Sequence, residues 1–177
     1  MRIRTEVAAP LALAVAVALA APAGAATVSS AGAVAPTPPK CLENVLKVSA
    51  GPSGQPETLR ITVTNRSRHA CVVDRVPTVV FGDLDGPALP VPDTESGPYR
   101  VPAGGRVYAA VRTLDPAATE LRVVDRLTVA GDPAHRGRTF GAASLGAPDG
   151  IRVWEPVTTR WHRSGAAADA ALERYAG

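Results

Sequence analysis

Between residues 59 and 64 apolar and polar side chains alternate without a break, with Leu59, Ile61 and Val63 on one side and Arg60, Thr62 and Thr64 on the other. Successive side chains of an extended strand point to opposite faces, so this period of two gathers the aliphatics on one buried face, which a helix would not do. Leu46 and Val48 repeat the pattern, as does 106–112, where Val107, Ala109 and Val111 take one face and Arg106, Tyr108, Ala110 and Arg112 the other. Further strands are expected at 70–73, 78–81, 88–91, 121–129 and 151–157, with Leu121, Val123 and Leu127 as a second inward set. Gly and Pro clusters separate these runs at roughly ten-residue intervals and no helical crossover lies between them. The fold class this implies is all-β, an antiparallel β-sandwich.

The two ends of the chain read differently. Arg2 and Arg4 precede an apolar stretch that closes on Ala23-Gly24-Ala25, the layout of a secretory signal peptide over residues 1–25 with cleavage after Ala25. The uninterrupted run between Pro10 and Pro22 is 11 residues, and a span needs about 20, so an uncleaved anchor fits less well. Cys41 follows Pro38-Pro39-Lys40 and is no lipobox cysteine. Residues 26–40, rich in Pro, Ala and Ser, form an expected disordered linker, 41–158 the sandwich, and 159–177 a peripheral tail whose short helix, from 166 to 175, is capped by Ser164. Residues 131–150 read as a Gly- and Ala-rich loop with one short strand near 139–142.

Composition narrows the function classes. Nineteen Lys and Arg against sixteen Asp and Glu give a formal charge of +3, and arginine supplies nearly all the cations. Aromatic residues are only 4% of the chain and the arginines are scattered, which argues against a nucleic-acid surface. The two cysteines, Cys41 and Cys71, permit one pairing, and an oxidising compartment favours it, so a disulfide is expected rather than a reactive or metal-binding thiol pair.

The motif Leu59-Arg60-Ile61-Thr62-Val63-Thr64-Asn65-Arg66-Ser67-Arg68-His69-Ala70-Cys71 joins an alternating strand to Asn-x-Ser and a cysteine. With the leading Cys41, Val76-Pro77, the turn Val101-Pro102-Ala103-Gly104-Gly105 and the closing Ile151-Arg152-Val153-Trp154-Glu155-Pro156-Val157, it resembles the exported actinobacterial family known as domain of unknown function 4232 over about residues 41–157. The resemblance implies an immunoglobulin-like sandwich outside the cytoplasm. It implies no activity and no binding residues, and the second cysteine pair common in that family is lacking here.

Few residues suggest chemistry. His69, His135 and His162 are the only histidines, and none has metal-ligand spacing once Cys71 is in a disulfide. Gly82-Asp83-Leu84-Asp85-Gly86 has two carboxylates but not the other ligands of a calcium loop, and Asp85-Gly86 reads as a hairpin turn. Ser144 lacks the Gly-x-Ser-x-Gly setting, and Asp93 and Glu95 are loop neighbours among prolines. No catalytic residue, cofactor or metal is therefore assigned. The candidate binding surface is Arg66, Arg68 and His69 on the turn after the strand, where an anionic wall polymer would fit, together with Trp161, read as partly exposed. Trp154 reads as core or as a platform for a sugar ring.

The expectation is an exported, non-enzymatic module that binds an extracellular protein or envelope polysaccharide through its loops or a strand edge. It would be secreted, with or without loose attachment to the envelope. Two alternatives stay open. One is an inhibitor of extracellular hydrolases using the proline-stiffened 90–102 segment. The other is an enzyme whose site is assembled from loop carboxylates and a histidine such as His135.

Overall fold

A computed structural model describes residues 38–175, so the expected signal peptide and most of the linker lie outside the described residues. Strand is the predominant regular structure of the described residues. It begins with β1 (Leu46–Pro52), β2 (Thr58–Asn65), β3 (Cys71–Asp74), β4 (Thr78–Phe81), β5 (Leu89–Val91) and β6 (Pro98–Val101). There follow β7 (Arg106–Arg112), β8 (Arg122–Val124), β9 (Arg126–Ala130), β10 (Arg138–Gly141), β11 (Ile151–Val153), β12 (Val157–Thr159) and the helix α1 (Gly165–Tyr175). The principal sheet has the order β1-β2-β7-β12-β5, and smaller sheets are formed by β10-β9-β4, β11-β8 and β3-β6.

The alternation along β2 and β7 does what the pattern requires. Ile61 pairs with Ala109 and Val63 with Val107 in an antiparallel register, and all four are buried. Their side chains join Val73, Val79, Phe81, Val101, Leu127, Val129 and Val153 from the smaller sheets in one cluster, so the core lies between the principal sheet and the other three. Burial at about 25 cal/mol per Å² of apolar surface makes this cluster the main favourable term in folding. Cys41 and Cys71 are joined by a disulfide. The last linker residues are also tied in: the Val72 N–H donates to the Pro39 carbonyl and the Cys41 N–H to the Val72 carbonyl, at 2.9 and 2.8 Å.

Several expectations need correction. Residues 121–129 are two strands in different sheets, and Leu121 and Val123 are exposed while Val124 and Leu127 face the core. The break at Asp125 inserts an odd residue between inward positions, which reverses the alternation. Residues 151–157 likewise divide into β11 and β12. Glu155, with a φ of 45°, turns the chain from one sheet to the next. The Asp85-Gly86 turn brings the Ala88 N–H back to the Val79 carbonyl at 2.8 Å, but β5 then leaves β4 and pairs parallel to β12. The sheets are therefore not antiparallel throughout. Residues 98–101, read as part of a stiff loop, form β6 against β3.

The C-terminal segment is not a peripheral tail. The Tyr108 and His162 backbones exchange hydrogen bonds of 2.9 and 2.7 Å, extending the principal sheet. The helix then lies on the face of β7 away from the main core, where Ala168 and Leu172 bury against Ala110. Ser164 caps it, its hydroxyl accepting the Ala167 N–H at 3.2 Å, as expected. Ala168 and Ala171, small and buried, let the helix approach the sheet, whereas Ala166, Ala167 and Ala170 are exposed and serve the helix by propensity alone.

Candidate functional site

The turn carrying Arg66, Arg68 and His69 is built by Asn65, which is fully buried. Its Nδ2 donates to the carbonyls of His69, Pro102 and Val101 at 2.8, 3.1 and 3.3 Å, and its Oδ1 accepts the Ser67 N–H at 2.9 Å. The Ser67 hydroxyl adds a bond of 2.7 Å to the His69 carbonyl. A short amide that closes a turn on its own backbone two residues on is an Asx turn, and burial makes each of these bonds necessary. The Asn-x-Ser motif is thus a structural brace of this turn. It projects Arg66, Arg68 and His69 into solvent.

Asn65 also joins this turn to a second one. Its N–H donates to the Gly105 carbonyl, and the Gly105 N–H to the Pro102 carbonyl, both at 3.0 Å. Gly104 supplies the positive φ of 64° that this tight turn needs. Arg100 and Arg106 flank the turn, one at the end of β6 and the other at the start of β7. With Tyr99, Val107 and Arg163 they line a cleft of about 600 Å³. None of the ion pairs among the described residues involves Arg66, Arg68, Arg100, Arg106 or Arg163. These five cations form the arginine end of the molecule. Arg100, Arg106 and Arg163 were not singled out from sequence, although two of them bracket the Pro-Ala-Gly-Gly turn. Arg163 reaches the cleft only because residue 162 pairs with β7.

Trp161 does not belong to this surface. It is among the largest fully buried side chains, and its indole N–H donates to the Asp74 carbonyl at 2.8 Å. Its local sequence, Thr-Thr-Arg-Trp-His-Arg, is polar, so the burial arises from the docking of the segment rather than from periodicity. Trp154 is half-buried and lines a groove with Leu84 and Asp85.

The three histidines lie on separate elements. His69 is on the arginine turn, His135 closes the turn begun by Asp132, and His162 extends the principal sheet. Asp132 is buried but held below its usual pKa. Burial pushes it up, and the Ala134 N–H, the Lys40 ammonium at 3.1 Å and His135 together outweigh that. His162 is pushed below its usual value, first by burial and then by Arg160 and Arg174.

Strand edges offer less than the loops. Pro90 stands at the centre of edge strand β5, where it supplies no N–H, and the Arg138 guanidinium reaches the Val48 carbonyl of edge strand β1 at 3.3 Å. Segment 92–97 is tied by the Thr94 hydroxyl to the Pro92 carbonyl at 2.6 Å and by Ser96 to Asp74.

Among the described residues no helix is long and apolar enough to cross a membrane. The family described as domain of unknown function (DUF4232) matches residues 41–161. No curated protein and no solved structure matches the chain.

Proposed function

The chain belongs to the family described as domain of unknown function 4232, and from that premise we propose that it is an exported, non-enzymatic, immunoglobulin-like β-sandwich that binds an anionic polymer of the cell envelope through its arginine end. The observation that carries this reading is the set of five guanidiniums, Arg66, Arg68, Arg100, Arg106 and Arg163, with no carboxylate partner among the described residues. The core between facing sheets and the antiparallel β1-β2-β7 register support the sandwich assignment, and the disulfide is compatible with an oxidising location.

Guanidinium matches the fork geometry of phosphate and carboxylate oxygens better than ammonium does, and it is more weakly hydrated. One exposed contact contributes less than about 1 kcal/mol, but several contacts to successive anionic groups of one polymer add through effective concentration. The braced turns hold the arginines in place before binding, which reduces the ordering cost. Such binding weakens as salt rises, because the screening length is about 8 Å at physiological ionic strength.

The test is co-sedimentation of the chain from residue 26 onward with isolated cell-wall polymer over a salt series. Saturable retention that declines with salt, and drops about tenfold or more in an Arg100→Ala, Arg106→Ala, Arg163→Ala variant, is the expected result. Retention that ignores the triple substitution, or no retention, overturns it. Capture of a stoichiometric protein partner instead would replace it with inhibition or assembly.

A further inference from the structure

Beyond the far end of β7 the fold forms a second concavity, of about 920 Å³. One wall is the turn after β4, carrying Asp83, Leu84 and Asp85. The other is Trp154 and Glu155 at the passage from β11 to β12, with Asp115 and Arg122 also lining the groove. The position of Trp154 is fixed from both sides. Its N–H donates to the Thr113 carbonyl and its carbonyl accepts the Asp115 N–H, each at 3.0 Å. Among the described residues its indole N–H has no acceptor, unlike that of Trp161.

Half of the carboxylates here are paired within the chain. Asp83 pairs with Arg126 at 2.6 Å and Asp115 with Arg112 at 3.0 Å. That leaves Asp85 and Glu155 facing the groove with Arg122, a net of one negative charge. Neither a polyanion nor a polycation gains much from such a lining. A polyhydroxylated neutral ligand does: carboxylates accept hydrogen bonds from hydroxyls, a guanidinium donates two N–H groups to vicinal oxygens, and an indole face covers the C–H face of a sugar ring.

We propose that the groove beside Trp154 binds an uncharged pyranose ring of a glycan, stacked on the indole and hydrogen-bonded by Asp85, Glu155 and Arg122. The site is separate from the arginine end, and each can fail without the other.

The experiment is a titration of the chain with chitotetraose, cellotetraose and maltotetraose, read by tryptophan emission and by calorimetry. Trp161 is buried, so a ligand-dependent change in emission or in acrylamide quenching reports Trp154. Saturable binding of at least one tetrasaccharide is expected, weakened about tenfold by Trp154→Ala, the scale of one lost stacking partner. The blue emission of Trp161 checks that this variant is folded, and Trp154→Phe, which keeps a smaller ring, should recover part of the affinity. The Arg100→Ala, Arg106→Ala, Arg163→Ala variant should bind the sugar unchanged. No saturable signal with any of the three sugars overturns the proposal, as does equal binding by Trp154→Ala, or binding of an oligo-arginine peptide in their place.

Discussion

The arginine end and the Trp154 groove lie at opposite ends of β7, about 20 Å apart at 3.3 Å per residue, and they hold their charges in opposite ways. At the arginine end, cations stand unpaired on turns braced from beneath by a buried amide and by a disulfide whose Cys71 pairs with Val101. At the groove, two of the four lining carboxylates, Asp83 and Asp115, are answered by arginines of the same chain, and the walls are held by backbone hydrogen bonds and surface ion pairs. The difference teaches that buried bonding, an amide and a disulfide, underlies the turns that carry unpaired cations, whereas the groove relies on backbone bonds and solvent-exposed ion pairs.

The largest effect expected from testing this contrast follows removal of the disulfide. Closing a 30-residue separation stabilises the fold by about 3 to 4 kcal/mol on a chain-entropy estimate. Cys41→Ser with Cys71→Ser should lower the urea midpoint accordingly, and hydrogen exchange should quicken at residues 65–73 before it does near Trp154. Uniform loosening would break the comparison. Next is Asn65→Ala, which takes the Ser67 N–H's acceptor and the Nδ2 donor shared by the His69, Val101 and Pro102 carbonyls out of a buried position and should cost about 2 to 3 kcal/mol, whereas Asp83→Asn at the exposed pair with Arg126 should cost less than about 1 kcal/mol. Similar costs would show that the two ends are held alike.

The smallest effect concerns pH. His162 has a folded pKa below its unfolded value of about 6.5. The unfolded chain therefore binds more protons just below that value, and stability should fall as pH drops from 7 through 6.5 toward the folded pKa. His162→Gln should flatten this slope in thermal melts. A slope that survives the substitution assigns the effect to other groups.

The fold was legible wherever one strand kept one phase. The faces of β7 were readable from Val107, Ala109 and Val111 because all seven residues stay in one sheet. Reading failed where the chain changes sheets: at Asp125, which reverses the inward set, and at Glu155, which divides the last expected strand. Those events depend on local backbone geometry, at Glu155 a φ of 45°, rather than on hydrophobic pattern. Of the candidate site, the turn Arg66 to His69 could be found because strand, Asn and Ser are contiguous. The cleft of Arg100, Arg106 and Arg163 could not, because it is assembled by a crossover and by the docking of residues 157–163. The misreading of Trp161 has the same origin, since its polar neighbours hide a position that only the tertiary fold buries.

The burial of Trp161 and the packing of α1 on β7 make residues 157–175 a support of the fold rather than an appendage. Without them the core lacks one of its largest side chains and the outer face of β7 stays uncovered. A protease that cuts ahead of residue 157 would therefore remove an internal prop of the domain rather than trim its edge.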